Sequence, residues 1–99
     1  MVKLKIVWSH RAKIKLYEIF KFYNERNQSN TYSSKLYKRF TKEINLLKKQ
    51  PDLGIKTEIE SVRGLIINDY IIFYQNTDDL IVVHSIWDCH QNPDDLRIL

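Results

Sequence analysis

From Leu80 to Trp87 the chain reads Leu-Ile-Val-Val-His-Ser-Ile-Trp, an almost unbroken apolar and β-branched run entered from Asn76-Thr77-Asp78-Asp79. A run of this length and composition predicts a central strand covered on both faces. It gives way abruptly to Asp88, Cys89, His90, Gln91 and Asn92, and then to Pro93, which disfavours further sheet pairing. A stiff strand that delivers a polar cluster to the rim of a sheet is a common way to build a functional site. The rest of the chain has to supply neighbours for this strand.

Upstream, Val2 to Trp8 alternates, with Val2, Leu4, Ile6 and Trp8 on one face and Lys3 and Lys5 on the other, the pattern of a half-buried strand. Ser9 is placed to cap a helix running to about Arg26, whose apolar stripe is Ala12, Leu16, Ile19, Phe20 and Tyr23, with Phe22 off the stripe. After a polar break at residues 27–30, capped by Ser29, Asn30 or Thr31, a second helix is expected to about Lys49, with the stripe Tyr32, Leu36, Phe40, Ile44 and Leu47. The short connection makes the two an antiparallel hairpin. Pro51-Asp52-Leu53-Gly54 is a turn signal. The periodicity then changes: a short or irregular strand over Ile55 to Ile59, strands over Val62 to Ile67 and Tyr70 to Tyr74 joined at Asn68-Asp69, then the central strand. The apolar end, Leu96 to Leu99, is expected to dock on the sheet edge. Segregated helices and hairpin-connected strands imply an α+β fold, one domain over 1–99, with the helical hairpin packed on a mostly antiparallel sheet of about four strands.

Charge is distributed unevenly. Residues 1–50 hold thirteen Lys and Arg against three acids, a net of +10, whereas residues 51–99 hold three against nine, a net of −6. Lys35, Lys38, Arg39 and Lys42 share one side of the second helix, and Lys48 and Lys49 extend it. Such a surface suits an anionic partner; the plainer alternative is a solvated face. No apolar run approaches the ~20 residues of a membrane span. No signal peptide is evident, and a single cysteine fits a reducing compartment, so a cytoplasmic location is expected.

In order and spacing the chain resembles the RelE/ParE superfamily of toxins from type II toxin–antitoxin systems. The features are an opening strand ending Ile6-Val7-Trp8; Ala12, Leu16, Ile19 and Phe22-Tyr23 in the first helix; Leu47, Pro51 and Gly54 after the second; Arg63, Leu65, Tyr70, Ile72 and Tyr74; and the ending Ile86, Asp88, His90, Gln91, Asn92, Pro93. The resemblance implies a cognate antitoxin as partner, no cofactor and no metal. It implies one of two activities: RelE-like members cleave mRNA in the ribosomal A site, and ParE-like members inhibit DNA gyrase. Fold alone does not choose between them.

Metal-free RNA cleavage needs a group to activate the 2′-hydroxyl, one to protonate the leaving oxygen and positive charge for the phosphorane. His90 is the candidate proton carrier, in a position that resembles the terminal-strand Arg or His of ribonuclease members. If strand geometry persists, Asp88 lies on the same face about 6.6 Å away and can orient it. Arg63 is the candidate phosphate ligand, its alternative being an ion pair with Glu58, Glu60 or Asp69. The helix cations Lys35, Lys38, Arg39, Lys42, Lys48 and Lys49 are the candidate nucleic-acid surface. Ribosome-dependent mRNA cleavage is the expectation on these residues, with gyrase inhibition by protein binding as the alternative. One departure weakens the nuclease: where ribonuclease members carry an Arg in a Tyr-Arg-Leu-x-Tyr segment, this chain has Ile71. His84, on the apolar strand, is expected to be a hydrogen-bonded core histidine sharing a face with Asp88.

Overall fold

A computed structural model describes residues 4–99; Val2 and Lys3 of the expected first strand lie outside them. Elements follow in the order β1 (Lys5–Trp8), α1 (His10–Asn27), α2 (Thr31–Leu46), β2 (Ile55–Lys56), β3 (Val62–Ile67), β4 (Tyr70–Asn76) and β5 (Leu80–Asp88), with a 3-10 turn at Pro93–Asp95. The sheet order is β1-β5-β4-β3-β2, parallel between β1 and β5 and antiparallel elsewhere. β5 is therefore an interior strand, as its composition predicted.

The helical hairpin covers one face. Ala12 and Ile19 of α1, Leu36, Phe40 and Ile44 of α2, and Leu47 just beyond it meet Leu65, Ile67, Tyr70, Ile72, Tyr74, Ile81, Val83 and Ile86 of the sheet in one buried core. At roughly 1.5–3 kcal/mol for each buried large side chain, this face supplies most of the fold's drive. Ser9 caps α1 by accepting from the Ala12 N–H at 3.0 Å, and its hydroxyl donates to the His84 carbonyl at 2.7 Å. One residue thus ends β1, starts α1 and ties both to β5.

Four expectations need correction. The second helix stops at Leu46 instead of Lys49. The N–H groups of Leu47, Lys48 and Lys49 turn to the carbonyls three residues back, a tightening ahead of Pro51, which disfavours helical geometry at Gln50. Tyr32 stays 39% exposed. Ser33 is buried in the hairpin instead, its hydroxyl donating to Asn24 Oδ1 at 2.6 Å. The outer face of β5 is only half-covered. Finally, the carboxyl end does not dock on a sheet edge: the Ser85 hydroxyl of interior β5 donates to the Ile98 carbonyl at 2.7 Å, and Arg11 holds the Arg97 carbonyl at 3.1 Å.

Candidate functional site

A bulge decides which way the end of β5 points. Tyr74 pairs with Val83 and Phe73 with Ser85, leaving His84 as the extra residue. A one-residue insertion exchanges the faces beyond it. Ile81 and Val83 point to the helices before the bulge, and Ile86 joins the same core after it. Asp88 follows Ile86 onto the helical side. It lines a cavity of about 220 Å3 with Lys15, Glu18, Phe22, Tyr23 and Tyr70. His84 does not share this face. Its Nε2 donates to Gln75 Oε1 at 2.9 Å, and Gln75 donates onward to the Ser61 hydroxyl at 3.0 Å. The expected hydrogen bond is present, but His84 is half-buried on the outer side of the sheet and not in the core, and it does not share a face with Asp88.

Strand geometry ends at Asp88. The Cys89 N–H reaches across to the Asp69 carbonyl at 2.9 Å, and the Gln91 N–H returns to the Asp88 carbonyl at 3.0 Å, so the chain turns. His90 consequently folds back on Asp88 instead of standing one strand step away. Asp88 Oδ1 accepts from the His90 backbone N–H at 2.9 Å and lies 3.0 Å from its Nδ1. On the far side of the ring, Nε2 lies 4.0 Å from Asp69 Oδ2. The imidazole therefore sits between two carboxylates. Among the described residues no Lys or Arg forms an ion pair with Asp88 or Asp69.

Beside this pair three tyrosines converge, a cluster the sequence did not suggest. Tyr23 ends the stripe of α1, Tyr32 opens α2 and Tyr70 opens β4, so the hairpin connection and the β3–β4 turn bring them to one end. The Tyr70 hydroxyl donates to that of Tyr23 at 3.4 Å, and the Tyr23 and Tyr32 rings stand 4.5 Å apart. Burial, then the bond to Tyr23, pushes the Tyr70 phenol far up. Burial, then Tyr23, raises Tyr32. Burial followed by Asp88 and Asp69 raises the Cys89 thiol. Tyr70, Tyr32 and Cys89, so shifted, hold their protons near neutrality and do not themselves supply a tyrosinate base or a thiolate nucleophile.

Arg63 is elsewhere. It pairs with Tyr74, four residues along β4 from Tyr70, the partner of Asp88; that is about 13 Å along the strand. Its guanidinium donates to the Gly54 carbonyl at 2.8 Å and the Asp52 carbonyl at 3.3 Å, and Nε lies 3.5 Å from Asp52 Oδ1. Its acid is thus Asp52, not Glu58, Glu60 or Asp69. Tyr74 completes this corner: its fully buried ring places a hydroxyl that accepts from the Gly54 N–H at 2.9 Å and donates to the Pro51 carbonyl at 2.6 Å. A larger cavity of about 470 Å3 opens beside it, lined by Lys56, Glu58, Glu60 and Asn76 among others. It is far from His90, so size does not make it the chemical centre. Lys35, Lys38, Arg39, Lys42, Lys48 and Lys49 are all exposed. Arg63 therefore stands apart from His90, and among the described residues none of the helix cations forms an ion pair with Asp88 or Asp69. Among the described residues no group of three or more His, Cys, Asp or Glu could hold a metal ion, and no helix is long and apolar enough to cross a membrane.

Comparison with known proteins adds a family. The profile described as "ParE toxin of type II toxin-antitoxin system, parDE" matches residues 6–93. Among solved structures, a chain of the chromosomal ParDE TA system from P. aeruginosa superposes with a TM-score of 0.74 at 16% identity, covering 87% of this chain and 96% of that one. A chain of the E. coli DinJ-YafQ toxin-antitoxin complex superposes with a TM-score of 0.53 at 11% identity, covering 88% and 93%. These identities speak for a shared fold. No curated protein matches the sequence significantly.

Proposed function

This chain belongs to the ParE toxin family of type II toxin–antitoxin systems, and on that premise we propose that it acts by binding a protein target, DNA gyrase, rather than by cutting RNA. The observation that carries this is the setting of His90. A phosphorane carries negative charge, and the imidazole that would serve it is flanked by Asp88 and Asp69 with no ion-paired cation beside them. The candidate phosphate ligand, Arg63, is held by the 52–54 loop.

The helical hairpin meanwhile offers what a protein interface uses. Tyr17, Phe22 and Tyr37 are 66%, 54% and 53% exposed, and Ile14 is exposed as well. Exposed aromatic side chains of this kind anchor interfaces. A cognate antitoxin is the expected second partner, covering the toxin and releasing the target. Titrating the purified protein into a gyrase supercoiling reaction tests the proposal. Loss of supercoiling at micromolar protein, relieved by the antitoxin, supports it; unchanged supercoiling overturns it.

One observation favours ribosome-dependent mRNA cleavage as a second reading. The hydrogen bond between Asp88 and His90 has the form of an oriented acid–base pair. That reading needs a cation closer to the pair than Lys15, which lines the cavity beside Asp88 without forming an ion pair with it.

A further inference from the structure

The cavity of about 220 Å3 beside Asp88 is walled by aromatic rings and carboxylates. Glu18 and Phe22 are exposed, Tyr23 and Asp88 half-buried and Tyr70 buried, so it leads from the surface of α1 down to the sheet. The Phe22 and Tyr23 rings stand 5.1 Å apart at 79°, two walls that meet nearly at a right angle. Both hydrogen bonds that Asp88 accepts from His90 go to Oδ1, and among the described residues Oδ2 has no partner. Glu18 forms no ion pair among them either. Lys15 also lines the cavity but pairs with neither acid. With it counted, one cation and two acids leave a formal charge of 1 − 2 = −1, in a chain whose net charge is +4. Aromatic faces attract cations, and desolvated carboxylates bind them. One ring of this wall already does so within the molecule: Arg26 Cζ lies 6.0 Å from the Phe22 ring centroid. Among cations a guanidinium fits the lining best, because it is planar, lies flat on rings and donates to several acceptors at once, whereas an ammonium is a strongly hydrated point charge.

We infer that this cavity receives an arginine side chain of a partner polypeptide, its guanidinium lying among Phe22, Tyr23 and Tyr70 and donating to Asp88 Oδ2 and Glu18. A polypeptide is the source because Phe22, which lines the cavity, is also more than half exposed, so that a chain reaching into the cavity packs on an aromatic anchor at its mouth. The inference holds for any protein partner and does not require that partner to be gyrase.

The test is an NMR titration of the isotope-labelled full chain with N-acetyl-arginine methylamide and with its citrulline, lysine and glutamate counterparts. Saturable amide shifts around Glu18, Phe22, Tyr70 and Asp88 are expected, at about millimolar affinity for a side chain cut from its polypeptide. Arginine should bind roughly tenfold or more tightly than citrulline, its uncharged isostere. Glu18→Gln and Asp88→Asn should each weaken arginine binding about threefold or more. Glu18 is exposed, and asparagine still accepts the His90 N–H, so both variants keep the fold. Lys15→Gln removes a competing cation and should tighten binding, a change of sign that a merely structural effect would not give. No saturable shift, citrulline binding as tightly as arginine, a preference for the lysine or glutamate probe, carboxylate variants that bind like wild type, or weaker binding by Lys15→Gln overturns the inference. Gyrase inhibition is measured on the same preparations. Inhibition without arginine binding sinks the inference alone. Arginine binding by a protein that leaves supercoiling unchanged supports the cavity and sinks only the gyrase proposal.

Discussion

Asp88 Oδ1 accepts two hydrogen bonds from one residue, His90, through its backbone N–H at 2.9 Å and its Nδ1 at 3.0 Å. The first bond closes a side-chain-to-backbone turn of the kind aspartate favours. The carboxylate therefore has a structural task whether or not the ring does chemistry. Asp88→Ala removes both bonds and is expected to cost about 1–2 kcal/mol in urea unfolding. His90→Ala keeps the turn and removes only an exposed pair, so it costs under about 1 kcal/mol.

The Tyr74 corner holds the loop between helices and sheet. Tyr74→Phe leaves the Gly54 N–H and the Pro51 carbonyl without their partner, at a cost of about 1–3 kcal/mol. Gly54→Ala meets the same corner sterically, since an added Cβ would lie 2.7 Å from Tyr74 Cε1 and 2.9 Å from the Gly64 carbonyl oxygen. Neither atom belongs to a flexible side-chain end, so a loss of about 1–3 kcal/mol is expected there too. Thermal unfolding of the two variants checks both figures.

These two sites differ in how far the sequence exposed them. Strands β3, β4 and β5 were legible because alternation and short polar turns are local signals, and the change of period after Pro51-Asp52-Leu53-Gly54 marked where helices give way to sheet. The pairing of Asp88 with His90 was legible as proximity, but its geometry was not. Whether the chain runs straight or turns at Cys89 depends on Asp69, twenty residues away. The bulge at His84 was hidden for a similar reason. An extra residue in one strand exists only relative to its partner, and no glycine marks it. Arg63 was legible as a cation among acids, but its choice of Asp52 follows from how the loop folds back over β3.

His84 gives the fold an acid-sensitive point. Burial holds its imidazole below the ordinary histidine value, so the folded chain resists the proton that the unfolded chain accepts near pH ~6.5. Below that pH the unfolded state binds more protons, and stability falls as pH drops through the histidine range. Replacing the ring by His84→Gln should flatten the dependence of unfolding midpoint on pH between about 7 and 5. A slope unchanged by the substitution would assign the effect to other groups.

The exposed aromatics of the hairpin carry the binding proposal. Phe22→Ala and Tyr17→Ala should each weaken gyrase inhibition by tenfold or more if the residue is an anchor. Circular dichroism and unfolding midpoints should stay close to wild type, because both side chains are more than half exposed. Equal inhibition by wild type and the double variant would move the interface to another face.

The most direct measurement places the two activities side by side. Wild type and His90→Ala are each added to a gyrase supercoiling reaction and to a purified translation system whose mRNA is mapped for A-site cuts. Both proteins are expected to stop supercoiling at similar concentrations, and neither to leave cuts. A-site cuts by wild type that vanish in His90→Ala, with supercoiling untouched, would contradict binding as the mode of action.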